Sequence, residues 1–239
     1  MRCRLCNRTA TLVNSHVLPE FLFKPCYDQK HRARQVALPE FQRAFLQKGH
    51  RERLLCLDCE VLFSRYERYF SEVWYGPRRK RPLVAPALGF RVSGLDYARF
   101  KLFHLSILWR AGVSSRDEYK RVSLGPHTER IAAHFLREDP GPAWEYPLGA
   151  MALVVPATRR LLEGFIVSPG VKRVGGHTLY VFLFGGCAWC YCVSSHRLAD
   201  FPTSLSEEGE LIVPCQKFQE FPPMKDILVR WGMAMLEGK

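Results

Sequence analysis

The 239-residue chain is 47% hydrophobic, 13% aromatic and 24% charged, an ordinary globular composition that excludes collagen-like repeats, coiled coil and bulk disorder. Its 35 Lys and Arg outnumber 23 Asp and Glu, a net charge of +12, so a polyanionic partner is expected, whether nucleic acid, anionic lipid or acidic protein. The excess is concentrated in residues 1–81, where 17 basic residues face 8 acidic ones, leaving only +3 for residues 82–239. Polar residues follow Met1-Arg2-Cys3-Arg4, and no apolar stretch reaches the roughly 20 residues of a spanning helix. The expectation is a cytoplasmic protein with no membrane partner.

In chain order, the first feature is Cys3-x-x-Cys6, matched later by Cys56-x-x-Cys59. Two thiolates three residues apart chelate one ion from a tight turn, and a second pair completes a tetrahedral four-sulfur site, so these four cysteines are expected to hold structural Zn²⁺. The competing reading is buried thiols with no metal. Cys26 reads as a lone thiol. Between the pairs, residues 9–16 alternate and run into Val17-Leu18-Pro19, which predicts a strand ending near His16. A short helix is expected around Pro39–Gln47, after a basic segment that includes Arg32 and Arg34. From Cys59 to about Trp74, Leu62, Tyr66, Tyr69, Phe70 and Val73 fall at helical spacing, so the second cysteine pair opens a helix.

Gly76-Pro77-Arg78-Arg79-Lys80-Arg81-Pro82 has linker composition and divides the chain into residues 1–81 and 82–239. Its cations either touch phosphate or are simply solvated. Beyond it, Leu95–Ala111 is apolar on nearly every side, as a core helix is, and would bury His104 and Arg110, the latter needing a carboxylate such as Asp139. A weaker helix is expected over Thr128–Arg137. Strands are expected over Ala150–Pro156, Gly164–Val167, His177–Phe184, Ala188–Ser194 and Glu210–Val213. Glycine pairs and Pro169-Gly170 punctuate them, which points to hairpins and an antiparallel sheet. Met224–Met235 predicts a last helix. Cys187, Cys190 and Cys192 lie on one such strand with Cys187 on the opposite face, so they read as buried thiols and not as ligands. The fold class is therefore α+β: a zinc module, a helical segment and an antiparallel β-sheet domain.

The N-terminal third resembles the HNH endonucleases in their zinc-knuckle, treble-clef form. The likeness rests on Cys3-x-x-Cys6, on Asn14-Ser15-His16-Val17-Leu18-Pro19 and on Leu54-Leu55-Cys56-x-x-Cys59-Glu60. It implies hydrolysis of phosphodiester bonds, with His16 as general base and a catalytic Mg²⁺ or Mn²⁺ beside the structural zinc. It also implies a nucleic-acid partner, DNA before RNA, and a place in defence against foreign DNA. This chain departs from the pattern: Ser15 stands where a metal-binding acid is expected, Arg51 where the middle Asn falls, and Glu60 where the last His or Asn falls. His16 and Glu60 are the catalytic candidates, with His31 or His50 as helpers. Arg32, Arg34, Arg51, Arg53, Arg65, Arg68, Arg78, Arg79, Lys80 and Arg81 are the candidates for phosphate contact. Tyr66, Tyr69 and Phe70 are expected in the helix core sooner than under a stacked base. The alternative function is a non-catalytic, zinc-stabilised subunit that meets protein or nucleic-acid partners in a larger assembly, with the C-terminal domain as a docking platform.

Overall fold

The computed structural model describes residues 1–30, 33–35, 44–46, 49–197 and 204–222. The chain opens on a loop around Cys3 and Cys6, closed by a bridge between Arg2 and Thr9. Asn7 sits there at φ 59°, the left-handed conformation that Asn tolerates better than most residues, and its N–H donates back to the Cys3 carbonyl at 3.0 Å. Strand β1 (Leu12–His16) ends three residues before Pro19, which precedes the four-residue helix α1 (Glu20–Phe23) and a 3-10 turn over Lys24–Cys26. Short strands β2 (Ala33–Gln35) and β3 (Ala44–Leu46) pair antiparallel. The described part of the helix expected over Pro39–Gln47 is therefore a strand; a nine-residue apolar period was too short to choose between the two. Strand β4 (Arg51–Cys56) pairs antiparallel with β1 and runs straight into helix α2 (Leu57–Trp74). Knuckle, hairpin and helix thus follow in the expected order.

Strand β5 (Gly89–Val92), which the sequence reading missed, precedes helix α3 (Tyr97–Val113), and a 3-10 turn at Asp117–Tyr119 leads to α4 (His127–Arg137). Asp96 caps α3 by accepting from the Arg99 N–H. Every residue of α3 from Phe100 to Ala111 is buried, because the helix lies between α2 and a sheet. On one side Phe103 stacks on Phe70 of α2, ring centroids 4.0 Å apart; on the other His104 meets Trp189 at 4.3 Å. Aromatic burial of this kind is worth about 1.5–3 kcal/mol per side chain. The core that contains these rings extends from Cys3 to Val213, across the linker position at residues 76–82.

Strands β6 (Leu148–Val154), β7 (Val167–Val174), β8 (His177–Phe184), β9 (Cys187–Val193) and β10 (Leu211–Lys217) join β5 in a six-stranded sheet of order β5-β10-β6-β9-β8-β7. The class is α+β, as expected, but the sheet is mixed: β10 runs parallel to β6. Hairpin signals could not reveal this pairing, since β10 reaches β6 by a long connection. Gly175-Gly176 and Gly185-Gly186 all have positive φ and make the two-residue turns of the β7–β8 and β8–β9 hairpins. Pro169-Gly170, expected to be a turn, is instead a register irregularity inside β7. The expected helix at Met224–Met235 lies outside the described residues. Among the described residues, no helix is long and apolar enough to cross a membrane.

Candidate metal centre and the adjoining hairpin face

Each cysteine pair comes from a turn that the backbone itself fixes. The Cys3 N–H donates to the Arg8 carbonyl, and the Arg4 N–H donates to Leu54 of β4, so the first knuckle is laced to the strand that delivers the second. Cys56 is the last residue of β4 and Cys59 lies in the first turn of α2. The four sulfurs fall within 4.8 Å of one another. Cys6 and Cys56 Sγ are 3.7 Å apart, and tetrahedral Zn–S bonds of about 2.3 Å demand roughly 3.8 Å between sulfurs. The donor set, the spacing and the free state of all four thiols fit a structural zinc.

The surroundings also suit thiolate. Burial opposes ionisation of Cys6, but hydrogen bonds from Arg8, whose Nε lies 3.4 Å from its sulfur, bring its pKa down to about 6. Cys59, deeper and ringed by the other sulfurs, is pushed upward by burial and by those neighbours. Four thiols crowded together cannot all ionise without a cation, so a divalent ion resolves the conflict. Cys3, Cys6, Cys56 and Cys59 would hold it, and it would supply a cross-link rather than a reactive position. Cys187, Cys190 and Cys192 stand apart in β9, where Cys187 and Cys192 are buried.

The hairpin beside the zinc site has two unlike faces. Ser15 and Glu52 stand opposite one another on the inner face: Ser15 is buried, with no hydrogen-bond partner for its Oγ among the described residues, and Glu52 accepts from Ser114 and Ser115, just past α3. The other face carries Asn14, His16, Arg51 and Arg53, with Asn14 opposite Arg53 and His16 opposite Arg51. Here Arg51 Nε donates to His16 Nε2 at 2.8 Å. A guanidinium can only donate, so in this contact Nε2 accepts. Glu20 Oε2 lies 3.2 Å from the same nitrogen and accepts from the Gly49 N–H, while Tyr27 donates to Oε1. Burial and the Arg51 charge lower the His16 pKa, against the opposing pull of Glu20. Sequence reasoning missed Glu20 and Tyr27; the four-residue spacing of His16 and Glu20 was the available signal.

The other predicted residues are scattered. Glu60 follows Cys59 on α2 and has a buried Oε2 with no hydrogen-bond partner among the described residues. The one group of three or more metal-ligating side chains among the described residues is the four cysteines. His50 turns away from the face and bonds Tyr119 at 2.8 Å. Arg53 and Arg68 are exposed. Arg65 pairs with Glu138, Arg78 with Glu72, and Arg79 donates to the Tyr75 carbonyl, all at the surface; Lys80 is also exposed. Arg81 points inward, 5% exposed, bonded to the Trp74 carbonyl and paired with Glu163, so the cationic run is three residues long at the surface and not four. Tyr66, Tyr69 and Phe70 are buried in the core, as expected. Arg32 and His31 lie outside the described residues, as does the side chain of Arg34.

Neither a protein-family model, nor a curated protein, nor a solved structure matches the chain.

Proposed function

We propose that the protein is a zinc-stapled nucleic-acid binder of HNH-like, treble-clef design, in which the hairpin face beside the zinc site meets the phosphate backbone. The observation that carries this reading is the alternation just described. One face of β1–β4 turns inward, and the other presents Arg51, Arg53, Asn14 and His16 together next to the helix that the second cysteine pair opens. Guanidinium groups on a rigid element suit phosphate oxygens, and such contacts supply affinity without reading sequence. The +9 charge of residues 1–81 adds long-range attraction.

One observation favours a second reading, metal-assisted hydrolysis. Burial and Arg51 lower the His16 pKa, which favours the neutral ring a general base needs, and Arg51 donates to Nε2. A phosphate that drew Arg51 onto its own oxygens would uncover Nε2 for proton abstraction from water. Glu60 would then ligate Mg²⁺ or Mn²⁺.

The test is duplex DNA and RNA binding across a salt series, with Arg51→Ala, Arg53→Ala and His16→Ala variants, and plasmid cleavage with Mg²⁺ or Mn²⁺ in parallel. The binding reading expects each arginine removed to flatten the slope of log K against log salt by nearly one unit, with His16→Ala close to wild type in affinity. Equal slopes for all proteins would refute it. Metal-dependent cleavage lost in His16→Ala alone, with affinity retained, would establish the second reading.

A further inference from the structure

Residues of α4, the loop before β6 and the end of β9 line a partly open cavity of about 190 Å³. Arg130 of α4, Trp144, Tyr146, Ser194, Ser195 and His196 line it. Three of its features are unusual together. Trp144 is 47% exposed, although an indole is among the costliest side chains to leave in water. The Arg197 guanidinium lies over that indole at 5.6 Å, so the ring already receives a flat cation. The hydroxyls beneath are held in place: His127, itself bonded to Tyr146 at 2.9 Å, meets Ser195 Oγ at 3.4 Å, and His177 meets Ser194 Oγ at 2.7 Å. Ser194 Oγ also accepts from the His196 N–H, and Arg130 Nη1 reaches Ser195 Oγ at 3.4 Å.

Glu145 also lines the cavity, 3.5 Å from His134 Nε2; the cations beside it are Arg130, which lines the cavity, and Arg197, which reaches it over Trp144. A planar platform beside a guanidinium and two hydroxyls suits a phosphate joined to a flat heterocycle. We propose that this cavity binds a nucleoside monophosphate unit, the phosphate against Arg130 and the serines, and the base on Trp144. The unit is either a free mononucleotide or the phosphorylated end of a strand. The site is separate from the hairpin face and stands or falls independently of it.

The full chain is titrated calorimetrically with AMP, CMP, adenosine, inorganic phosphate and a 5′-phosphorylated tetranucleotide, with tryptophan fluorescence as a second readout. AMP and CMP are expected to bind, with adenosine and phosphate each weaker by about tenfold or more, since each lacks one half of the contact. Arg130→Gln and Trp144→Ala are each expected to weaken AMP by a similar factor at unchanged melting temperature, and Trp144→Ala to remove the fluorescence change. Tetranucleotide binding equal to AMP identifies a strand end; preference for AMP identifies a free nucleotide. No binding of any probe at millimolar concentration, or wild-type affinity in both variants, would overturn the assignment.

Discussion

Arg110 of α3 reaches through the core to Glu67 of α2, Nη1 to Oε1 at 2.6 Å, with no exposure of the arginine side chain. The same nitrogen donates to the His16 carbonyl at 2.8 Å, and Nη2 donates to Ser106 Oγ. One buried cation therefore ties the end of β1, the middle of α2 and α3 together. The carboxylate expected for it was Asp139; the true partner comes from the helix that the second cysteine pair opens.

Removing one side of such a pair strands the other in a medium of low polarity. Arg110→Met should cost about 3–5 kcal/mol in urea unfolding, whereas the double variant Arg110→Met, Glu67→Leu should recover much of the loss. If the double variant were no more stable than the single one, the pair would not be the source of the cost.

His50 supplies a pH signature. Burial, with a smaller contribution from Arg116 and against the pull of Glu118, lowers its pKa to about 4, against roughly 6.5 in the unfolded chain. Above pH 6.5 neither state binds the proton, so the full stability is present; as pH falls from 6.5 to 4 the unfolded state binds it first and stability drops. The span corresponds to about 3 kcal/mol. His50→Gln, measured against wild type by unfolding at a series of pH values, should remove this difference over that window and leave the acid limb below pH 4 parallel.

Gly209 has φ +76°, and a Cβ there would run into the Leu95 carbonyl, whose own N–H bonds the Gly209 carbonyl at 3.0 Å. This pins the turn before β10 to the start of α3. Gly209→Ala should lose more than about 2 kcal/mol, through left-handed strain plus the clash, while Gly125→Ala, with open space around its Cβ, should lose only about 1 kcal/mol. Thermal melts of the two variants check the contrast.

Some of this was legible in the residues alone. The spacing of Cys3, Cys6, Cys56 and Cys59 led to the metal cluster because chelation geometry is local within each pair and only the meeting of pairs is tertiary. The long helices α2 and α3 were clear from apolar period, and the glycine-pair hairpins from turn chemistry. The parallel β6–β10 pairing was not, because no turn encodes it. Nor was the inward turn of Arg81: a basic run looks the same whether or not Glu163, eighty residues away, reaches back for one of its members. The Arg51–His16 contact was equally hidden, since register across β1–β4 had to be known before the two could be placed opposite one another.

If the cluster holds a structural ion, Cys56→Ser should release the metal, loosen the junction of β4 with α2 and lower the melting temperature far more than Cys26→Ser, whose thiol makes a long contact of 3.8 Å to the Glu163 carbonyl.

The most direct test of the account is elemental analysis of the purified chain together with X-ray absorption at the zinc edge. One zinc per chain with four sulfur neighbours at about 2.3 Å is the predicted result. A chain that stays folded without zinc, or in which Cys3 and Cys6 or Cys56 and Cys59 are joined as disulfides, would contradict it.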